Sequence, residues 1–278
     1  MWTNTARTSD VRRFIVTVGD ADIGWFSLVQ PRDNEPGAVW LNLFFPGAES
    51  AVVVEAVRFA EGQAIEMGAS RVLAKIWVTD DAAAQALASG GYELARRGRF
   101  WRLEIGPNAG RLIELEADAR RRVAERGIAI ASVAERGGDR LLPGVHEVAN
   151  SAMADIPSSV GFVPTGFEDW VVWMQPPSVE LDRIWVAFSG ETPVGYSYLE
   201  YQPSLVHTGF TGVLAAHRNQ GIARALKLAT LCQAIALDVE AVETDNDSEN
   251  SPILHLNEEL GYVETPGQHE YQKTVRQC

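Results

Sequence analysis

The chain has 278 residues, of which 46% are hydrophobic and 22% charged, the balance of a folded globular protein and not of a disordered one. Lys and Arg number 24 against 37 Asp and Glu, a net charge of −13. That balance argues against nucleic acid or an anionic membrane as partner and leaves room for a cationic small molecule. Two cysteines, Cys232 and Cys278, and five histidines without ligand spacing give neither a disulfide framework nor a metal site.

The opening "MWTNTARTSDVRRF" lacks the apolar core of a signal peptide, and no apolar run is long enough to span a bilayer. A reduced, cytoplasmic protein is the expectation. "RFIVTVGDADIGWFSL" then reads as a strand, a turn and a second strand, followed by the loop "FFPGAESAVV". "GPNAG", Gly106 to Gly110, reads as a turn-rich break, and "RLIELEADARRRVAERG" as a connecting helix.

Beyond it the pattern returns. "RIWVAFSGETPVGYSYL" matches the first strand pair, "CQAIALDVEAVETD" matches "GQAIEMGASRVLAKI", and "LGYVETPGQHEYQKT" matches "GGYELARRGRFWRLE". Gln63 corresponds to Gln233, Gly91 to Gly261 and Tyr92 to Tyr262, all at an offset of 170 residues. The chain therefore reads as two copies of one α/β unit, with boundaries at 1–108, a helical linker at 109–126, and 127–278. The second copy has an extra segment before its matching strand, with "IAIASVA" as a strand and "DRLLPGVHEVANSAMADIP" and "GFEDWVVWMQ" as helices. The first copy is the shortened one. The second is expected to run strand, helix, helix, three strands, helix, strand, helix, strand, with a helix from about Asn250 to Leu260 stopped by Gly261.

The stretch "HRNQGIARALK", His217 to Lys227, is a polar turn that enters a helix whose apolar residues Ile222, Leu226, Ala229, Cys232 and Ala236 share one face. A helix start exposes N–H groups without partners, and a glycine there removes the side chain that would hold phosphates off. An anion cradle and a plain loop-to-helix turn both fit that stretch alone. "GETPVG", Gly190 to Gly195, is no phosphate loop, because no Gly-Lys-Ser/Thr follows.

Two segments of the second copy, "TGVLAAHRNQGIA" and "TDNDSENSPILHLNEELGY", resemble the GNAT superfamily of acyl-CoA-dependent N-acyltransferases. The loop Arg218, Asn219, Gln220, Gly221, Ile222, Ala223 fills that family's Arg/Gln-x-x-Gly-x-Gly/Ala pattern. The resemblance implies an α/β fold of two tandem units, each a mixed, mostly antiparallel sheet flanked by helices. It implies that Arg218 to Arg224 hold the coenzyme A pyrophosphate and that Asn250 contacts the coenzyme. It implies too that the pantetheine arm pairs like an added strand with Thr211, Gly212, Val213 and Leu214. A backbone N–H near Val213 or Leu214 is expected to polarise the thioester carbonyl. The amine attacks directly, so no Ser or Cys nucleophile is needed. In the first copy Ala48, Ala51 and Val53 stand where Arg218, Gly221 and Ala223 stand in the second, so that copy is expected to bind no coenzyme.

By the same resemblance His207 occupies the position of the group that takes the amine's proton, with Glu200 as a second candidate; a solvent-facing histidine is the plain alternative. Asn257 stands where the family often has a Tyr that protonates the thiolate, and an amide cannot do so. His217 reads as part of the turn and Tyr262 as core. Asp238, Glu240, Glu243, Asp245, Asp247 and Glu249 read as a solvated face or as an attraction for a cationic acceptor. Asp155 and "FEDWVVWM" fall where the family builds its acceptor wall, or else are core. The sequence thus predicts transfer of an acetyl group from acetyl-CoA to the primary amine of a small molecule, without metal, nucleic acid or membrane; a homodimer is admitted. A coenzyme-binding sensor without turnover is the alternative.

Overall fold

The computed structural model describes residues 8–31, 34–174 and 179–275; Cys278 lies outside them. In the first copy, strands β1 (Thr8–Val18), β2 (Ala21–Pro31) and β3 (Ala38–Phe44) precede helix α1 (Ser50–Glu66). Strand β4 (Arg71–Trp77), helix α2 (Asp81–Ser89) and strand β5 (Glu93–Glu104) complete it, and helix α3 (Ile105–Ala124) follows. The second copy opens with β6 (Ile128–Ser132), a short α4 (Val133–Arg136), α5 (Leu142–Met153) and α6 (Phe167–Trp173). Then come β7 (Ile184–Ser189), β8 (Thr192–Gln202), β9 (Leu205–Val213), α7 (Ile222–Ala236), β10 (Ala241–Asp247), α8 (Ser251–Leu260) and β11 (Val263–Thr274). The repeat is visible in these bounds. At the offset of 170 that relates Gly91 to Gly261, β4 falls end for end on β10 and β5 on β11.

One expectation is corrected here. "GPNAG" is no break: Gly106 to Gly110 lie in the first turns of α3. Pro107 is tolerated there because a first-turn residue donates no intrahelical bond, and the Asn108 amide donates to the Glu104 carbonyl at 2.8 Å. Nor is α3 a free connector. Leu112, Ala119 and Val123 are buried along it in one core with α7 residues Leu226, Leu228 and Ala229.

The chain forms two compact units that do not follow the copies. The first takes residues 1–99, 158–163 and 266–278. Its strands run in the order β1, β2, β3, β4, β11, antiparallel except for β3 and β4. Those two are parallel and paired continuously from Ala38↔Arg71 to Asn42↔Lys75. Its core packs α1 and α2, through Val53, Val57, Ala60 and Leu87, onto Phe26, Leu28, Leu41 and Val72.

The second unit takes residues 100–157 and 164–265. Here the order is the end of β5, then β10, β9, β8, β7 and β6; from β6 to β9 neighbours are antiparallel, and β9 with β10 is parallel. Each face of this sheet is covered. On one, α3, α7 and α8 bury Leu103, Leu199 and Val242; on the other, α5 and α6 bury Val186, Phe188, Tyr196 and Tyr198. The last strand of each copy thus contributes residues to the unit built mainly from the other copy.

Candidate active site

The site is built where β9 and β10 part. Both strands run the same way and register at Glu243↔His207, their one pairing among the described residues. Past that point β9 continues to Val213 with one edge open. Leu214 donates its N–H to the Val194 carbonyl at 2.9 Å, so Leu214 and Val194 form a hydrogen-bonded pair. Hydrogen-bonded and non-bonded pairs alternate along an antiparallel ladder. Val213 opposite Gly195 and Thr211 opposite Ser197 are therefore non-bonded pairs. Their backbone groups point away from β8, toward the gap before β10. Of the two N–H donors expected at the strand end, that of Leu214 is taken and that of Val213 faces the gap, joined by Thr211.

At the head of this gap the chain turns through Ala215–His217 and enters α7. Asn219 has φ 61° and Gly221 φ 82°, both left-handed. The Gly221 position carries no side-chain cap, so the N–H groups of Ile222, Ala223 and Arg224 lack an intrahelical partner. A Cβ on Gly221 would find its nearest neighbour, Val123 Cγ1, at 3.9 Å, so the space above the turn is open. The equivalent region of the first copy is closed. Its parallel strands stay paired over five residues, and Val53, in place of Ala223, is buried in the core.

Side chains of the loop do more than face a ligand. Arg218 donates Nε to the Val213 carbonyl at 3.1 Å, and its Nη2 pairs with Asp155 beyond α5. Arg224 pairs with Glu259 on α8. Asn250 stands at the start of α8, yet its side chain makes no capping bond there. The Thr211 hydroxyl lies 2.8 Å from that of Ser197, on the α7 side of the sheet. Gly212 lets the strand lie against the Phe210 ring and the Ala152 methyl, where a Cβ would collide.

His207 lies on the opposite side, the one covered by α5 and α6. Strand alternation would put His207 and Phe210 on different faces. A bulge at Gly209 brings them together, since Tyr198 pairs with Phe210, Leu199 with Thr208 and Glu200 with His207. Only glycine fits the bulge, because the Tyr198 ring lies where a Cβ would go. His207 Nε2 is 3.0 Å from Asp245 Oδ1, and the imidazole is 24% exposed. Glu200 flanks it on β8 and Glu243 on β10. Glu243 binds Arg102 of β5 at 3.0 Å; this carboxylate and Glu104 hold the Arg102 guanidinium above its ordinary range. The acidic segment is therefore partly engaged: Glu243 with Arg102, Asp245 with His207, and Asp247 with the Glu249 N–H at 2.8 Å.

Beside this row lies an aromatic stack that the sequence reading missed. Tyr196 stacks on Phe210 at 4.9 Å and on Tyr198 at 6.1 Å, and Trp170 of α6 meets Tyr196 edge-on. His146 of α5 packs on Trp170 and hydrogen-bonds the Thr165 carbonyl at 2.9 Å. Trp170, Tyr196 and Tyr198 are buried core, while Phe167 and Phe210 are more open. An alternation of "YSY" with "FTG" across two strands was the available signal, hidden by the bulge.

On the α7 and α8 side, Asn257 is buried and its amide donates to Asn246 at 2.7 Å. Tyr262 is core, as expected, and burial raises its hydroxyl above the ordinary range. Burial also pushes the Cys232 thiol up to about 11, Glu116 adding to the effect and Arg120 opposing it, which makes it a poor nucleophile. No cluster of side chains suited to a metal ion occurs among the described residues, nor any helix long and apolar enough to cross a membrane.

Known proteins share this fold. Residues 150–262 match the model of the Acetyltransferase (GNAT) family. No curated protein sequence matches the chain. Among solved structures, a GCN5-related N-acetyltransferase from Sphaerobacter thermophilus superposes with a TM-score of 0.75 at 14% identity, over 95% of this chain and 81% of that one. A tandem GNAT protein from the clavulanic acid biosynthesis pathway gives 0.64 at 17% identity, covering 95% and 82%. A GCN5-related N-acetyltransferase from Kribbella flavida gives 0.61 at 13%, covering 95% and 90%. At these identities the structures speak for the fold, and the family match speaks for the second copy. An open parallel strand pair leading into an uncapped, glycine-turned helix is what the matched segment contains, and it is this segment, residues 150–262, that is similar to the Acetyltransferase (GNAT) family.

Proposed function

We propose that the chain transfers an acetyl group from acetyl-CoA to the primary amine of a small cationic molecule, by direct attack. The observation that carries this is the contrast between β9 and β10, which part after one pair, and β3 and β4, which stay paired. The first arrangement offers a ready strand edge to the pantetheine amides and a free helix start to the pyrophosphate. In this reading Asn219 to Arg224 cradle the phosphates through backbone N–H groups, and Asn250 offers its unused side chain. Arg218, bonded to Val213 and Asp155, braces the strand end as well as adding charge.

The acyl carbonyl lies at Thr211 and not at Val213. Each residue of a strand adds roughly 3.3 Å, so the outward-facing donor nearer to the base leaves the shorter path for the amine's proton. Thr211 is the outward-facing donor nearer to His207. His207 takes the amine's proton, with Glu200 beside it. The ammonium form of the acceptor is drawn to the face carrying Glu200, Glu243 and Asp245, while Phe167 and Phe210 meet its apolar part. The protein is read as cytoplasmic.

Thiol release from acetyl-CoA with a panel of amines at two ionic strengths tests this, alongside calorimetry. One coenzyme per chain is expected, with turnover favouring di- or polycationic amines at low salt, since screening weakens such attraction. Two equivalent coenzyme sites would refute the degenerate first copy. Binding without thiol release for any amine would leave a sensor.

A further inference from the structure

Lys227 has no role in the steps above. It sits on α7 at 2% exposure, its Nζ 5.2 Å from the centre of the Tyr262 ring. Burial alone lowers its ammonium from 10.5 to about 7, with no charged neighbour contributing. On the same α7 and α8 side of the sheet, Asn257 Oδ1 is buried without a hydrogen-bond partner, and the buried Tyr262 OH and Thr208 Oγ1 have at most each other. The Tyr262 hydroxyl is turned toward Thr208. Thr208 follows His207 in β9 and points to the other face. Asn257 is bonded to Asn246, three residues past Glu243, and so stands across the gap from Phe210 and Thr211.

Buried polar groups are almost always satisfied, by protein or by ordered water. A lysine buried without a carboxylate lowers stability unless something else requires it. We propose that Lys227, acting through water held by Tyr262, Thr208 and Asn257, supplies the proton taken up by the departing thiolate. The inference rests on the acyl-transfer reading. The amine nitrogen bonds to the acyl carbon and its proton passes to His207. The carbon–sulfur bond then breaks, and the electron pair stays on sulfur. A proton passes from the Lys227 ammonium through water to that sulfur. The neutral amine left behind regains a proton from the imidazolium by way of solvent, and the cycle is balanced. The two transfers use opposite faces of the sheet, which keeps acid and base apart. Tyr262 is the titratable group in contact with Lys227, and no charged side chain contributes to the shift of its ammonium; Thr208 of β9, Thr244 of β10 and Asn257 of α8, buried on this side of the sheet, are neutral, and Glu116 and Arg120 of α3 lie at Cys232 instead.

Lys227→Met keeps the volume and removes the amine. The expected kcat falls about 10- to 100-fold, the lower end for proton transfer because a thiolate leaves readily, with the Kd for coenzyme A within about twofold of wild type. At the same time Tm near pH 7 should rise by roughly 5 °C, since a buried charge is removed. A lowered lysine pKa makes the wild type gain stability relative to the variant as pH climbs from about 7 toward 10.5, so the Tm gap should close over that window. Tyr262→Phe, which deletes one hydroxyl, should lower kcat without changing Kd. Wild-type kcat in both variants overturns the proposal, and so does a kcat loss in Lys227→Met that comes with lower Tm or weaker coenzyme binding. If the wild-type chain itself releases no thiol, the acyl-transfer reading falls and takes this one with it.

Discussion

His207 gains its meaning from Asp245. The carboxylate lies 3.0 Å from Nε2 and holds the ring, so that in the proposed reaction Nδ1 is the nitrogen that takes the proton. His207→Ala should therefore lower kcat by about 10²- to 10⁴-fold, while coenzyme binding stays unchanged. Asp245→Asn should keep part of the activity, because the ring remains but its orientation and charge partner are weakened. A His207→Ala enzyme within about threefold of wild type would move the role to Glu200, its register partner on β8. The histidine's place on the strand ahead of the Arg218 loop could be read from the sequence. Its partner could not, because Asp245 belongs to another strand and only the parallel register brings it near. Asn250 shows the converse: its sequence suited a helix cap, and the structure leaves its side chain uncapping.

At the scale of elements, sequence pattern was enough for the bounds of β10 and α8, where the Pro252 and Gly261 boundaries agree with the backbone; α7 departs from its expected single apolar face, since Ala225 to Leu231 are buried all round and Ala236 is exposed. Sequence pattern failed where one residue changes it. The bulge at Gly209 turns His207 onto the aromatic face, and no alternation rule shows an extra residue. Proline and two glycines made Gly106 to Gly110 look like a break, although first-turn positions accept them. The turn proposed to hold the coenzyme is the element most open to test. Gly221 has φ 82° and open space where a Cβ would go. Gly221→Val should weaken coenzyme A binding by at least about 100-fold by filling that space, roughly 2.7 kcal/mol or more. It should lower stability by only about 1–2 kcal/mol, the strain of a left-handed L-residue. Gly221→Ala, with the strain but little bulk, separates the two effects. Coenzyme affinity within about threefold of wild type in the valine variant would show that the phosphates do not approach this turn.

The two copies were legible through one constant offset, but the way their last strands are used was not, because β-propensity says nothing about which edge a strand joins. Residues 268–274 of β11 pair with β4 in the first unit. Trp101 and Leu103 of β5 are buried in the core that carries α7 and Val242, and Arg102 reaches Glu243, the register partner of His207. Each unit therefore depends on a strand from the other copy. A fragment of residues 105–278 keeps every side chain assigned to catalysis and coenzyme binding, yet it lacks Trp101 and Leu103. Losing a buried Trp costs about 3–5 kcal/mol and a buried Leu about 2–5, against a total stability of about 5–15 for a typical domain. The fragment should be unfolded or aggregated when made alone, and co-production with residues 1–104 should restore a soluble complex binding one coenzyme A. Circular dichroism and calorimetry on the separate and combined fragments check this. A lone 105–278 fragment with the melting temperature and coenzyme affinity of the whole chain would mean that the exchanged strands are not needed for the folded site.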